Sequence, residues 1–419
     1  MKRLLREVYL SVQQTNTHLI ELLKLSQQLQ VAIYSVSVLK VNYLNPINIK
    51  AAVNWIINMS RTEIKFIKPC LHQREEHFPL TPLYTQHCFN QGKIVQINLD
   101  NCSIQRMEEL SDNASIEDVK EVGLLPLVAL LQHGSVSLTA IGVDEMPDWR
   151  VQKAMESYQK FCQKFWPGHK DDVEATFRNF DPESMNKKVI FSELCDSARC
   201  TYGISYVAML QIQNIQLNHS DKSPTEKFEI YVHSMAGMLD LLTAYDMEIA
   251  KYAFWDQTAN QINQLPENIR LRRKYIKQNF HKPLSNLDKC RWFAFDAAMD
   301  IYWLSGANLA ENLGVTININ GREHKVENWV GTNDHKLFAI SQDIHSIYLD
   351  GTTMKGLATT REETLIQQPY WHFVDHFANS VMEYRKRRGY RSVDNLLIKI
   401  DQAIKHIETE LKVGFSLTK

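Results

Sequence analysis

The sequence predicts an α/β fold with a parallel sheet, extended by N-terminal, inserted and C-terminal helices. Strand-like residues 93–99 and 136–141 are separated by two helical segments, which is the order typical of parallel strands joined by a helical crossover. Much of the remaining chain carries apolar residues at helical spacing. A length of 419 residues, 44% of them hydrophobic and 23% charged, indicates a globular protein of two or three domains.

Composition excludes several classes of protein. A formal net charge of -1 argues against a generally basic nucleic-acid-coating protein, so binding to nucleic acid would need local basic patches. Seven cysteines without regular spacing favour a reducing compartment over a disulfide framework. The sequence has neither a signal-peptide pattern nor an apolar run long enough to span a membrane. We therefore expect a cytoplasmic protein.

The N-terminal region predicts helices and carries no recognisable chemistry. Residues 1–66 are mostly helical in pattern, and residues 67–92 are irregular and rich in proline. His72 and His77 flank two glutamates, but no metal-ligand spacing is enforced, so a solvated loop is the favoured interpretation. We assign residues 1–90 to a helical accessory region.

Two predicted strands end in acidic residues. The run 93–99 is followed directly by Asp100, and the run 136–141 leads into Val143-Asp144-Glu145. A carboxylate at the end of a buried strand is costly unless cations or hydrogen-bond donors meet it. Ligands of open α/β sheets bind at the carboxyl ends of the strands, so these acids are candidate site residues.

A helical insertion follows at about residues 150–284. It contains the basic run 268–277, with Arg272 and Arg273 at its centre. This basic run is either the solvent-exposed face of a helix or a surface that contacts a polyanion. Both interpretations stay open at this point.

The next helix, predicted between Ser285 and Gly314, carries Asp296 and Asp300 four residues apart among apolar and aromatic neighbours. Two carboxylates in such a setting need a cation or several donors. The alternative is a structural network in which arginine or tyrosine side chains neutralise both.

A fourth acidic feature follows a predicted hairpin at Asn320-Gly321. A short strand ends in Thr332 and Asp334, and a helix begins there. An ordinary helix N-cap explains this pair by itself, whereas the three earlier acidic positions favour a shared site.

The C-terminal region, residues 351–419, is predicted to be helical. Its basic patch, residues 384–391, includes Arg387 and Arg388 with tyrosines interleaved, a pattern that can grip phosphates and stack on bases. His372 and His376 are four residues apart, but packing is the favoured interpretation over metal binding.

Common catalytic motifs are missing from the sequence, which has no glycine-rich phosphate loop, no G-x-S-x-G elbow and no paired C-x-x-C. What remains is a set of carboxylates, which suits Mg²⁺ or Mn²⁺. Such ions can activate water and stabilise the leaving oxygen of a phosphodiester.

The order of these acids resembles that of the PIN-like nuclease superfamily. The resemblance lies in four short motifs: Ile97-Asn98-Leu99-Asp100-Asn101-Cys102, Thr139-Ala140-Ile141-Gly142-Val143-Asp144-Glu145, Phe295-Asp296-Ala297-Ala298-Met299-Asp300-Ile301 and Gly331-Thr332-Asn333-Asp334. Cys102 stands where the family usually has a small polar residue. The long separation of Glu145 from Asp296 requires the helical insertion.

This resemblance implies a three-layer α/β/α nuclease domain over residues 91–350. It implies metal ligation by Asp100, Glu145 and Asp334, with Asp300 or Asp296 completing a catalytic set. Further residues are candidates for binding the substrate, and these are Asn101, Thr332, Arg272, Arg273, Arg387 and Arg388.

The function implied is that of a metal-dependent endoribonuclease acting on single-stranded RNA, with a toxin or defence effector as one biological role. The alternatives are a catalytically inactive PIN-like module that binds RNA or protein, and a DNA-directed metal-dependent nuclease. The size of the accessory regions leaves room for an inhibitory protein partner. No membrane partner is expected.

Overall fold

The computed structural model describes ten stretches of the chain, and these are residues 63–69, 80–166, 189–241, 243–306, 314–319, 321–341, 344–348, 355–359, 361–389 and 395–417. The predicted N-terminal helices and the loop with His72 and His77 lie outside them. The chain divides into two compact units. Unit 1 comprises residues 1–176, 181–183 and 307–338, and unit 2 comprises residues 177–180, 184–306 and 339–419.

Unit 1 is built on a five-stranded sheet. Its strands are β1 (Lys65–Ile67), β2 (Lys93–Leu99), β3 (Val136–Thr139), β4 (Thr316–Ile319) and β5 (Arg322–Thr332). The order is β1-β5-β2-β3, with β4 also pairing β5. Strand β2 runs parallel to both β3 and β5, whereas β1 and β4 are antiparallel to β5. The predicted α/β class with parallel strands is confirmed.

The central position of β2 explains its sequence. Four of its apolar residues, Ile94, Val95, Ile97 and Leu99, are at most 2% exposed, because a central parallel strand is covered on both faces. Gly331 on β5 leaves room for this strand, since a Cβ there would lie 3.1 Å from Ile97 and 3.2 Å from Leu99.

Five helices accompany this sheet. They are α1 (Pro82–Asn90), α2 (Asn101–Glu108), α3 (Ile116–Glu121), α4 (Leu125–His133) and α5 (Asp148–Phe165). The capping pattern at Ser115 and the apolar residues after it predict one helix as far as Leu131, and this prediction is wrong, because the chain breaks between α3 and α4. Ser115 does cap α3 through the expected capping box, but Gly123 has φ 80 and Pro126 starts a new helix.

Unit 2 is helical apart from a two-stranded sheet. Within the described stretches its first α-helices are α6 (Asp196–Asn218), α7 (Pro224–Met238), α8 (Ala244–Phe254), α9 (Ala259–Asn263), α10 (Glu267–Phe280) and α11 (Leu287–Ile301). A π-helical turn, Tyr302–Gly306, follows α11. The boundary near residue 338 falls within α12 (His335–Ser341). The later elements are β6 (Ile344–Tyr348), β7 (Lys355–Thr359), α13 (Glu363–Ile366), α14 (Pro369–Arg388) and α15 (Leu396–Leu417).

A residue in the left-handed backbone conformation divides one of the helices predicted for unit 2. Ser223 and Pro224 predict the start of a helix that runs to about Trp255. The start is confirmed, but α7 ends at Met238 and α8 begins at Ala244. Between them Asp240 has φ 56, a conformation that ends a helix. Its carboxylate accepts hydrogen bonds from Arg385 and Arg388 of α14, which hold this turn.

Unit 2 groups α11 with the inserted helices and with the C-terminal region. Its core contains the fully buried rings of Trp255, Trp303 and Trp371. None of the helices in the described stretches has the length and apolar character that crossing a membrane requires.

Candidate functional site

The carboxyl ends of β2 and β5 bring Asp100 and Thr332 together. Leu99 pairs with Gly331 in the parallel register, so the residues that follow emerge at the same edge of the sheet. The backbone N–H of Asp100 donates to the carbonyl oxygen of Gly331 at 3.0 Å. The Thr332 hydroxyl then donates to Oδ2 of Asp100 at 2.6 Å. Both side chains are buried, with Asp100 6% and Thr332 0% exposed.

Cys102 completes this contact from the first turn of α2. Its thiol donates to the same Oδ2 of Asp100 at 2.9 Å and lies 3.2 Å from the Thr332 hydroxyl. The backbone N–H of Asn333 donates to the Cys102 sulfur at 3.2 Å. Burial and the neighbouring Asp100 carboxylate raise the pKa of Cys102 well above its usual range, so the thiol stays protonated and acts as a donor.

Asp334 is tied to the same hydroxyl through its backbone. Its N–H donates to Oγ1 of Thr332 at 2.9 Å, so two hydrogen bonds through one hydroxyl link Asp334 to Asp100. The Asp334 carboxylate also accepts from the N–H of Lys336 at 2.7 Å, at the start of α12. The helix-cap interpretation of Thr332 and Asp334 is therefore confirmed. The same two residues also lie beside Asp100.

The environment of Asp100 disfavours its charge. Burial raises the pKa of this carboxyl, hydrogen bonds from Cys102 and Thr332 lower it, and the charge of Asp334 raises it again. The net direction is upward. Asp100 occupies the N-cap position of α2 without making a side-chain cap bond, since its carboxylate is directed to Thr332 and Cys102 instead.

The second acidic strand end lies against the first. After β3 the chain forms a 3₁₀ turn, Ile141–Glu145, and its Gly142 touches the end of β2. A Cβ at Gly142 would fall 2.3 Å from the backbone nitrogen of Asn101. Asp144 is 4% exposed, whereas Glu145 is half-buried. Glu145 is the predicted metal ligand of this pair. The buried acid is its neighbour Asp144, and no feature of the sequence favours Asp144 over Glu145.

A buried polar network next to the site was also missed. Thr139 of β3 donates to Oδ1 of Asn98 at 2.8 Å, and Nδ2 of Asn98 donates to Oδ1 of Asn328 on β5 at 3.2 Å. The signal available was a polar residue next to a large apolar one near the end of each of these three strands. This network joins the strands two residues before Asp100. It fixes the relative positions of the strand ends.

Asn101 and the acids of α11 have different surroundings from those predicted. Asn101 is the first residue of α2, and its Oδ1 accepts from Nε2 of Gln105 at 2.6 Å. Asp296 and Asp300 lie on α11 in unit 2, where Asp296 is exposed and Asp300 is half-buried. The prediction that this helix buries both carboxylates is wrong, because its buried stripe runs through Phe293 and Ala297.

Burial also corrects the substrate-binding prediction for the first basic run. Arg272 is 7% exposed and binds Glu362 at 2.7 Å, and Arg273 is 8% exposed with its guanidinium 5.7 Å from the Trp255 ring centroid. Side chains this buried do not present their guanidinium groups to a polyanion in solution.

The second basic run is more accessible. Arg387 and Arg388 are exposed on α14, although Arg388 also binds Asp240 at 2.7 Å. His372 and His376 are exposed on the same helix, with ring centroids 6.5 Å apart. The described part of the chain contains no group of three or more histidine, cysteine, aspartate and glutamate side chains arranged to hold a metal ion.

The donor set at Asp100 nevertheless suits a hard cation. It offers the carboxylates of Asp100 and Asp334 and the hydroxyl of Thr332, all oxygen donors. Mg²⁺ is usually held by one or two carboxylates together with water and substrate phosphate, so two acids meet its minimal requirement. The buried position of Asp100, with its raised pKa, is one that a cation would stabilise as the carboxylate.

Comparison of the chain with family models, with curated proteins and with solved structures found no match.

Proposed function

We propose that unit 1 carries a PIN-like, metal-dependent ribonuclease site centred on Asp100. The observation that carries this proposal is the meeting of Asp100, Thr332 and Asp334 at the carboxyl ends of two neighbouring parallel strands. That edge is where open α/β sheets bind ligands. The order of the acidic motifs in the sequence supports the same assignment.

In this proposal Asp100 and Asp334 hold Mg²⁺ or Mn²⁺, and Thr332 orients Asp100 through its 2.6 Å hydrogen bond. The bound ion would activate a water molecule and stabilise the leaving oxygen of the phosphodiester. Glu145 or its buried neighbour Asp144 is the candidate for a further ligand. Asp296 and Asp300 lie on α11 of unit 2, so the site proposed for unit 1 does not include them.

The proposed substrate is single-stranded RNA. Asn101 stands at the first turn of α2, whose N-terminal backbone dipoles favour a phosphate. Arg387 and Arg388 are the exposed basic residues predicted to contact the RNA backbone.

The experiment compares cleavage of one sequence as single-stranded RNA and as single-stranded DNA by the full-length protein, with Mg²⁺, with Mn²⁺ and with chelator. Asp100→Asn should abolish cleavage of RNA. Asp112→Asn, which alters an exposed acid of the same unit, is the matched control and should leave cleavage unchanged. Equal activity of Asp100→Asn and the parent protein would contradict the proposal. Cleavage of DNA alone would point to the DNA-directed nuclease instead.

A second candidate is a PIN-like module that binds RNA without cutting it. It is favoured by the finding that the described residues contain no cluster of three metal-ligating side chains. This candidate predicts that the protein binds RNA, does not cleave it with either ion, and binds equally well after Asp100→Asn.

A further inference from the structure

Basic residues from two helices of unit 2 lie close together. Arg273 and Lys277 are four positions apart on α10, so their side chains project from the same face of that helix. His281 follows directly after the end of α10, and Lys227 belongs to α7. We call these four residues the cationic cluster.

The positive charges of the cationic cluster act on one another. Burial, followed by the charges of three cationic neighbours, lowers the pKa of His281 from 6.5 to about 4. Those neighbours are Lys277, Lys227 and Arg273. Burial and the charge of Arg273 lower the pKa of Lys277 to about 8, so its ammonium group stays mainly charged at pH 7. Charges more than about 10 Å apart are largely screened, so these groups are near neighbours.

The acids around the cationic cluster do not balance its charge. Among the described residues, Asp256 is the only carboxylate whose charge acts on Arg273 and on Lys277. It is exposed, so water and salt screen it. The charges that act on His281 are all positive. The cluster therefore keeps an excess of positive charge.

The buried end of the cationic cluster has donors without partners. Arg273 is 8% exposed, and its Nε has no hydrogen-bond partner among the described residues. Its Nη2 donates to the carbonyl oxygen of Trp255 at 3.4 Å, and this neutral acceptor brings no compensating charge. Nδ1 of His281 is also buried without a partner in the described stretches. Because an uncompensated buried charge is costly, an anion bound here would stabilise the folded protein.

Lys277 and His281 connect the buried guanidinium group to the surface. Both side chains are half-buried, whereas Lys274 on the same helix is exposed. A small anion can contact Lys277 and His281 at the surface and Arg273 beneath them. The backbone of a long polyanion does not reach a side chain as buried as Arg273, so this site differs from the RNA contact first predicted for the basic run.

We propose that the cationic cluster binds the phosphate group of a small ligand. A phosphate monoester carries a charge of about -1.5 to -2 at pH 7 and three acceptor oxygens, which suits several cations better than a singly charged carboxylate does. The Arg273 guanidinium group can donate two parallel hydrogen bonds to phosphate, and Lys277 adds a point charge. Neutral His281 can donate a ring N–H. This site is independent of the nuclease proposal, because all of its residues belong to unit 2.

The test measures binding of inorganic phosphate and of phenyl phosphate to the full-length protein by isothermal titration calorimetry at pH 7. Sodium chloride keeps the ionic strength constant, so general screening does not contribute. Saturable binding of phosphate is expected, and tighter binding of phenyl phosphate would identify an organic phosphate as the ligand. Lys277→Met removes one charge at similar side-chain length and should weaken binding about tenfold or more.

The same variant separates binding from folding. Lys277→Met removes a half-buried charge that Arg273 repels, so in phosphate-free buffer it should melt no lower than the parent protein. Lys274→Met is the matched control, because Lys274 is an exposed lysine of the same helix, and it should bind phosphate like the parent protein.

Absence of saturable phosphate binding by the parent protein would overturn the proposal, as would equal affinity of the parent protein and Lys277→Met. Equal affinity for acetate would overturn the assignment to phosphate.

Discussion

The Thr332 hydroxyl donates a 2.6 Å hydrogen bond to Oδ2 of Asp100, although the two residues are 232 positions apart in the sequence. The parallel pairing of β2 with β5 creates this contact. The same hydroxyl accepts a hydrogen bond from the backbone N–H of Asp334, so one side chain links the Asp100 carboxylate to the backbone of Asp334.

Thr332→Val should impair the candidate site while keeping the shape of the side chain. It removes a donor from a buried carboxylate, which costs about 1.5 to 3 kcal/mol for a hydrogen bond to a charged group. We expect RNA cleavage to fall at least about tenfold. Thr332→Ser retains the hydroxyl and should keep most of the activity. Equal cleavage rates for the valine variant and the parent protein would contradict this role.

Cys102 should react slowly with iodoacetamide in the folded protein. The thiolate is the reactive species, and burial together with Asp100 raises the pKa of this thiol. Exposed Cys195 is the internal reference in the same sample. Mass spectrometry of tryptic peptides should find Cys195 labelled well before Cys102 at pH 8. Labelling at equal rates, with the protein still folded, would contradict the role of the thiol as a hydrogen-bond donor to Asp100.

Asp246 should make unit 2 less stable as the pH rises. It is 1% exposed, and burial raises its pKa to about 6 from 3.8, against hydrogen bonds from Thr243 and Ser205. The folded protein therefore binds this proton more tightly than the unfolded chain. Its contribution is fully present below about pH 4 and is lost as the pH rises through 6, a change of about 3 kcal/mol.

Asp246→Asn should accordingly raise the free energy of unfolding at pH 7, with the gain shrinking towards pH 4. Urea titrations of both proteins across this range measure the difference. Asp256→Asn, an exposed neighbour in sequence, is the control and should give a small, constant difference. A gain from Asp246→Asn that does not depend on pH would rule out titration of this carboxyl as its origin.

Glu248 should contribute strongly to the stability of unit 2. It binds Arg361 through two hydrogen bonds of 2.5 Å and 2.9 Å and lies 3.5 Å from Lys251. Burial by itself would raise the pKa of Glu248, but Arg361 and Lys251 lower it to about 2. Because the folded pKa is depressed, this stabilisation is present above about pH 4.5 and is lost as the pH falls through 2.

Glu248→Gln keeps the volume of the side chain but removes one of the two carboxylates that bind Arg361 and Lys251, while Asp375 remains at both cations. We expect a loss of about 1.5 to 3 kcal/mol at pH 7, measured by guanidinium unfolding. Exposed Glu363→Gln is the control and should change stability by less than about 0.5 kcal/mol. A loss below about 1 kcal/mol for Glu248→Gln would contradict the role of this ion-pair network.

The sequence predicted the parts of unit 1 that depend on local pattern. A continuous apolar run identified β2, and the polar residues after it placed Asp100 at a strand end. The spacing of Thr332 and Asp334 predicted both a helix cap and a site residue. Helical periodicity would also have placed Asp296 on the face of α11 opposite Ala294 and Ala298, which are buried, but the apolar neighbours in sequence obscured that pattern.

Tertiary structure decided everything that depends on partners distant in sequence. Arg272 can be buried because Glu362, 90 positions away in the sequence, neutralises its charge. No residue near Arg272 in the sequence indicates that Glu362 is its partner. The carboxylate of Asp100 is directed to Thr332 and Cys102 only once β2 and β5 pair in parallel. The sequence by itself determined that Asp100 follows a buried strand. The pairing of the strands decided which donors surround it, because hydrogen bonds depend on distances in space that residue order does not specify.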